Sequence, residues 1–452
     1  MSDRIVDYLV IGNSAAGVAA AEQIRAHDAR GSVLIVGREP YPVYGRPLIS
    51  YLVAGNVARD RMGWKDPGFY ERIGVECLTG SGAEAVSLDP EAHRVALADG
   101  SAVRYGKCLL ATGCSPFTPP IEGLAGCENA HTFYTLDDAE SVWTAAQRVR
   151  READAEGRPA RAVVIGAGLI GLKAAEAVAG YLDETFVLGR ADRILPTVLD
   201  ACGSELLRRL LKTHGIVCRP GSPVQSVRGD GSRATSVVLA SGEEVACDLV
   251  IAAAGVRPNV ELAVCAGAAQ GRGLVCGPDL QTSLPDVYAA GNLVQVTNVL
   301  DGTARPLALW PSAVQQGACA GRHMAGAPDA EPFAGSFAVN AVDFYETSLL
   351  TAGVTNPPEG EGYEVLAREE GDSYVKFVSK DGHLYGYILL NRPCNAGIYT
   401  ALIESGADLS ALPEDAFVGR PLENLDFPCG ERWERLHAFY PSCLDDRGWK
   451  EA

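Results

Sequence analysis

Apolar positions in this chain gather into short, dense runs that end on small residues. The first run, Val6-Asp7-Tyr8-Leu9-Val10-Ile11, stops at Gly12. A run of this length bounded by glycine reads as a buried strand. The small-residue turn Gly12-Asn13-Ser14-Ala15-Ala16-Gly17 follows, then an alanine-rich segment that predicts a helix through about Arg25, then a second apolar strand from Ser32 to Val36. The same grammar returns about one domain later. Ala162 to Ile165 predicts a strand, Gly166-Ala167-Gly168-Leu169-Ile170-Gly171 a turn, the segment through about Ala179 a helix, and Thr185 to Leu188 a strand.

Between the two units, Lys107-Cys108-Leu109-Leu110-Ala111-Thr112-Gly113 predicts a buried strand ending in a small-residue turn. Beyond the second unit come Leu249 to Gly255, then Val256-Arg257-Pro258-Asn259, and later Gln281 to Asn292, which reads as a turn, a short strand and a Gly-terminated loop. From about Pro332 the texture changes: Tyr374 to Val378 and His383 to Leu390 alternate like strands around the hairpin pair Asp381-Gly382. Asn395 to Ser405 then reads as a helix, so the end of the chain predicts a separate α+β domain.

Composition narrows the class. At roughly 100–200 residues per domain, 452 residues make two to four domains with ample buried core. Lys plus Arg minus Asp plus Glu is 39 − 57 = −18, which repels polyanions and argues against nucleic acid as a partner. The apolar stretch Ile5 to Ile11 is too short and too acidic for a secretory signal, and no run reaches the ~20 apolar residues of a membrane span. The expectation is a cytoplasmic protein. The 13 cysteines contain no CxxC pair and no metal-ligand spacing, so no metal site is expected; they read as small apolar side chains in a reducing compartment.

The candidate chemistry lies in the glycine turns. The first Gly allows the tight turn, the second lets backbone approach a pyrophosphate, and the third lets helix and strand pack closely. Phosphates then sit at the helix N-terminus, where unpaired N–H groups and the dipole favour negative charge. Two copies, each in full strand–turn–helix–strand context, point to two dinucleotides on one chain; Ser14 takes the place of the second glycine in the first copy.

These pieces, together with Ala111-Thr112-Gly113, Gly255-Val256-Arg257-Pro258-Asn259 and Tyr288-Ala289-Ala290-Gly291-Asn292, resemble the FAD-dependent pyridine nucleotide-disulfide oxidoreductase superfamily over essentially the whole chain. Tyr44-Gly45-Arg46-Pro47-Leu48 and Leu309-Trp310-Pro311-Ser312-Ala313-Val314 are similar to the branch of NADH oxidases, ferredoxin or rubredoxin reductases, nitrite reductase flavin domains and apoptosis-inducing factor. The resemblance implies an α/β fold of two Rossmann-like, glutathione reductase-like domains plus a C-terminal α+β interface domain that often supports a homodimer. Its expected boundaries are 1–122 and 249–328 for FAD, 123–248 for NAD(P), and 329–452 for the interface.

The resemblance also implies site residues. Gly12, Ser14, Ala15 and Gly17 would hold the FAD pyrophosphate, Arg38 and Glu39 would stand at the adenosine ribose, and Val86 would contact adenine. Arg46 and Pro47 would line the pyrophosphate and flavin edge, with Ala111, Thr112, Gly113, Gly291 and Trp310 around them. Asn292 replaces the family's aspartate at the ribityl contact, keeping an acceptor oxygen and adding donors. For NAD or NADP the implied residues are Gly166, Gly168, Leu169, Ile170 and Gly171, with Gly255 toward the flavin. The acid that would bind the NAD ribose is missing from Leu188-Gly189-Arg190, and Arg190 and Arg193 would admit a 2′-phosphate.

Two departures bear on chemistry. Tyr44 to Gly55, where disulfide-reducing relatives carry a redox cysteine, has none, and the lysine that ferredoxin reductase-like members place after Arg-Pro is replaced by Ile49-Ser50-Tyr51. Lys173, where relatives often place an acid, is expected on a solvated helix face; His437 reads as a surface histidine, and Cys394, Cys429 and Cys443 form no chelate. No catalytic acid or base is implied. The expected activity is hydride transfer between NAD(P)H and FAD, with electrons passing to or from an iron–sulfur or rubredoxin-type protein or subunit. The Tyr44 to Tyr51 variant looks like flavin subunits of multi-subunit anaerobic oxidoreductases. The alternatives are an NAD(P)H oxidase reducing oxygen and a nucleotide-dependent redox-sensing protein.

Overall fold

Strand Arg4–Ile11 lies at the centre of the first sheet because its inner half is apolar on both faces, as a parallel strand covered on both sides requires. It pairs in parallel with Val33–Gly37 on one side and Ala102–Leu110 on the other. Glu76–Thr79 extends the parallel set at one edge, and an antiparallel pair, Ala85–Asp89 and Arg94–Leu97, closes the opposite one. Val287–Ala289 returns from far along the chain to pair with Ala102–Leu110. The computed structural model describes residues 3–393 and 395–409.

Helix Ala15–His27 covers this sheet, and helix Trp310–Met324 lies along it at close range. The contact is tight because small residues face each other: a Cβ on Gly317 would stand 2.1 Å from the Ala16 carbonyl oxygen. The first nucleotide fold is thus completed by chain that follows the second one.

The second sheet is wholly parallel, in the order Ile216–Arg219, Glu184–Leu188, Arg161–Ile165, Leu249–Ala252, Ala130–Thr132. One sequence expectation is corrected here. Leu249–Ala252, grouped by sequence with the later FAD segment, is hydrogen-bonded into the second sheet beside Arg161–Ile165. A four-residue strand buried at every position satisfies either sheet, so only the pairing decides which. An antiparallel ribbon of Cys114–Pro116 with Val256–Pro258 then ties the two nucleotide folds together.

The last sheet is antiparallel: Val339–Phe344, Thr347–Gly353, His383–Leu390, Ser373–Lys380, Glu364–Glu370. Lys380 pairs with His383 across the expected two-residue turn, where Asp381 (φ 50°) and Gly382 (φ 77°) both take the positive φ of a type I′ hairpin. Helix Ala396–Ser405 packs on it. This sheet is locked to the second nucleotide fold at Asp200, whose carboxylate caps helix Ala201–Thr213 through the Gly203 amide (3.0 Å). The same carboxylate accepts from Tyr374 (2.7 Å) and from the buried Lys376 (2.8 Å). His437, Cys394, Cys429 and Cys443 lie outside the described residues.

Candidate functional site

The two glycine turns are built alike. A Cβ on Gly12 would lie 2.1 Å from the Ala111 carbonyl oxygen, and one on Gly17 2.0 Å from that of Gly12. In the second copy a Cβ on Gly166 would lie 2.2 Å from the Ala253 carbonyl oxygen, and one on Gly171 1.9 Å from that of Gly166. Each turn is therefore pressed against the neighbouring parallel strand, and no side chain fits there. Gly12 (φ 126°) and Gly166 (φ 125°) also hold a backbone conformation that favours glycine. Above Gly168 there is open space. Ser14 and Gly168 stand at the N-caps of the two helices, and neither makes a side-chain cap bond, so first-turn amides remain available to a ligand.

The first turn opens on a cavity of about 1040 Å³. Dinucleotide-sized ligands need room at the upper end of the roughly 300–1,000 Å³ of ordinary ligand pockets. Gly12, Ser14, Ala15, Arg38, Glu39, Arg46, Pro47, Val86, Ala111, Thr112, Gly113, Gly291, Asn292 and Trp310 all line it, as do Leu169 and Ile170 from the second unit. Gly17 lies behind the turn rather than on the wall. Gly166, Gly168, Gly171, Gly255 and Arg190 also lie off this wall. Arg190 is exposed after its strand, next to Gly189, where a Cβ would meet that of Ala167 at 2.8 Å. Arg193 is turned onto Asp192 (3.2 Å) and the Leu199 carbonyl.

Charge within the cavity is ordered. Arg46 pairs with Glu39 (2.6 Å), which also accepts from the Tyr44 hydroxyl (2.6 Å). The guanidinium lies 5.1 Å from the ring centres of both Tyr44 and Tyr134. Burial works against the Arg46 charge, but the neighbouring Tyr44 and Glu39 outweigh it and hold its pKa above the ordinary value. Burial also pushes the Tyr134 phenol well above its usual range, so it is a neutral donor at physiological pH.

Sequence reasoning missed Tyr134. Its hydroxyl is 2.9 Å from Cys114 Sγ, and Asn292 Nδ2 donates to both at 3.4 Å. A signal was present: Thr135 and Asp138 form a capping box at the next helix, and the Asp138 carboxylate also accepts the Tyr134 amide at 2.9 Å. With its NH₂ so engaged, Asn292 Oδ1 is buried on the cavity wall without a partner among the described residues. A buried acceptor with no donor calls for one from a ligand, and a polyol chain such as the ribityl of FAD supplies it. Open helix-terminal amides, close glycine packing and an orphaned acceptor together fit FAD.

Lys173 corrects an expectation. It is not solvated: its side chain is 13% exposed, it lines the cavity, and its ammonium lies 4.4 Å from the Tyr51 ring centre. The face expected to meet solvent is covered by Val339–Phe344 of the last sheet, whose Asp343 carbonyl accepts from Lys173 at 2.9 Å.

Two glycine turns of one build, the second sending its helix to the cavity of the first, define an FAD- and nicotinamide-dependent oxidoreductase. The chain belongs to the pyridine nucleotide-disulphide oxidoreductase family, which it matches over residues 6–317 and whose members bind FAD and NAD(P)H. It is 31% identical over 426 residues to the epsilon subunit of an NADH-dependent phenylglyoxylate dehydrogenase of Aromatoleum evansii, covering 93% of this chain and 97% of that one. It is 28% identical over 309 residues to a rubredoxin-NAD(+) reductase of Pseudomonas putida, covering 68% and 77%. Among solved structures, a ferredoxin reductase of Rhodopseudomonas palustris superposes with a TM-score of 0.80 at 25% identity, over 91% of this chain and 98% of that one. Among the described residues no helix is long and apolar enough to cross a membrane.

Proposed function

We propose that this chain passes electrons between NADH or NADPH and an iron–sulfur or rubredoxin-type protein or subunit, by way of FAD in the large cavity. The observation that carries this is the meeting of both glycine-turn helices at one cavity, with no cysteine in the Tyr44 to Gly55 segment where disulfide-reducing relatives carry one; the cysteines that do line the cavity, Cys114 and Cys265, lie on other elements. Bound FAD supplies the chemistry, accepting a hydride and releasing electrons onward.

In this reading the chain's own residues bind and orient. The amides after Ser14, with Arg46, hold the FAD pyrophosphate, Asn292 Oδ1 accepts from the ribityl chain, and the amides after Gly168 hold the nicotinamide dinucleotide. Arg190 stands free beside the second turn for a ribose or its phosphate, so both nucleotides are candidates. Residues 1–122 and the later part of 249–328 form the FAD domain, 123–248 with Leu249–Ala252 the NAD(P) domain, and 329–452 the interface domain, through which a homodimer is the proposed assembly. The names of the relatives, a dehydrogenase subunit and reductases of rubredoxin and ferredoxin, support a protein acceptor. The ten cysteines among the described residues are all free thiols, which supports a cytoplasmic setting.

Anaerobic stopped-flow mixing of FAD-loaded protein with NADH and then NADPH tests the reading. Rapid loss of flavin absorbance with one of them, followed by reoxidation on adding a rubredoxin or ferredoxin, is expected. A fully loaded flavin that neither nucleotide bleaches sinks it.

A further inference from the structure

Among the described residues, three cationic side chains line the large cavity: Arg38, Arg46 and Lys173. They are not equivalent. Arg38 is half exposed, and Arg46 is neutralised by Glu39 beside the first glycine turn. Lys173 sits on the second turn's helix, with its ammonium over Tyr51 from the Arg-Pro segment and against the backbone of the last sheet. All three parts of the fold meet at this one charge. Its carboxylate partner, Glu176, is equally buried, is not on the cavity wall, and is fixed from the far side by the Tyr345 amide (2.7 Å). The pair therefore has a polarity: ammonium toward the cavity, carboxylate away from it.

We propose that Lys173 and Glu176 set the reduction potential of the flavin, with Lys173 compensating the negative charge that reduction brings into the cavity. This rests on the reading that FAD occupies the cavity and takes a hydride there. The C4–H bond of the dihydronicotinamide breaks with both its electrons and a bond to flavin N5 forms. The nicotinamide leaves as a cation and the flavin ring keeps one additional negative charge. A largely buried cation fixed on the cavity wall favours the charged state more than one in bulk solvent would, and a carboxylate behind it attenuates that effect. With Tyr51 uncharged, the segment after Arg-Pro brings no cation of its own, and the opposite helix supplies it.

The two members of the pair then act in opposite directions, which a merely structural ion pair does not. The test is reductive titration of the FAD-bound protein against a reference dye, with flavin content measured first. Lys173→Met is expected to shift the reduced-to-oxidised ratio at a given potential about tenfold toward oxidised, a fall of about 30 mV for a two-electron couple. Glu176→Gln keeps an acceptor for the Tyr345 amide and is expected to shift the ratio severalfold toward reduced. Lys173→Arg is expected to stay within about threefold of the wild type. Both neutralising variants moving the same way, or neither moving beyond about threefold, overturns the proposal. Should Lys173→Met fail to fold, an unmoved Glu176→Gln overturns it alone. Wild-type protein that retains no FAD overturns the reading beneath it, whereas unmoved potentials in fully loaded protein overturn only this inference.

Discussion

At Gly12 one added methyl would meet the Ala111 carbonyl oxygen at 2.1 Å, in a backbone conformation of φ 126°. Gly12→Ala is expected to weaken FAD retention and to cost about 1–3 kcal/mol by overpacking, read as a lower flavin-to-protein ratio and a lower Tm. Asn292 differs, because nothing in its packing forbids change; its value is the unpartnered Oδ1. Asn292→Ala is expected to weaken FAD about tenfold, roughly 1.4 kcal/mol, by equilibrium titration of apoprotein, with little effect on the Tm of the apo form. Both positions were legible in sequence, since the turn spacing marks Gly12 and the Ala-Ala-Gly-Asn run marks Asn292. Tyr134 and the burial of Lys173 were not, because their partners Cys114, Asn292, Tyr51 and Asp343 lie on other elements.

Two element boundaries carry a local chemical signal that the sequence reading did not use. Thr135 and Asp138 cap helix Leu136–Glu156 and hold the Tyr134 amide against it. Thr135→Ala is expected to cost about 1 kcal/mol, measured by urea unfolding. Asp200 caps helix Ala201–Thr213 and joins it to Tyr374 and Lys376. Burial alone would raise its pKa, yet the hydrogen bonds from Lys376, Tyr374 and the Gly203 amide prevail and lower it. A lowered folded-state pKa stabilises the fold above the ordinary carboxylate value of 3.8, and that contribution is lost as pH falls through the lowered value. Asp200→Asn is expected to cost about 1–2 kcal/mol at pH 7, with the gap to wild type narrowing below pH 3.8 in acid unfolding curves. The hairpin at Asp381-Gly382 was legible because its φ values are demanded locally. The sheet that Leu249–Ala252 joins was not, because every position of that strand is buried whichever sheet takes it.

For the molecule as a whole, the cavity lies between parts of the chain that meet only after folding, so its ligand is expected to contribute to global stability. At free FAD a hundredfold above its dissociation constant, linkage gives about 2.7 kcal/mol. Removing FAD is expected to lower the Tm by several degrees and re-addition to restore it, as read by calorimetry; an apo form as stable as the loaded one would place the flavin elsewhere. By itself the sequence determined that two nucleotide-binding turns exist, that a different α+β region follows them, and that no thiol relay accompanies the Arg-Pro segment. Those features are local: turn geometry, apolar run length and the presence of a residue type within a few positions. The resemblance already implied that the chain around Trp310–Met324 belongs with the first fold; only the tertiary structure decided that this helix packs directly on Ala15–His27 and that the second turn's helix reaches the first turn's cavity. It also decided that Lys173 faces that cavity rather than solvent, because burial is set by whatever packs across, and here that is a strand some 170 residues away.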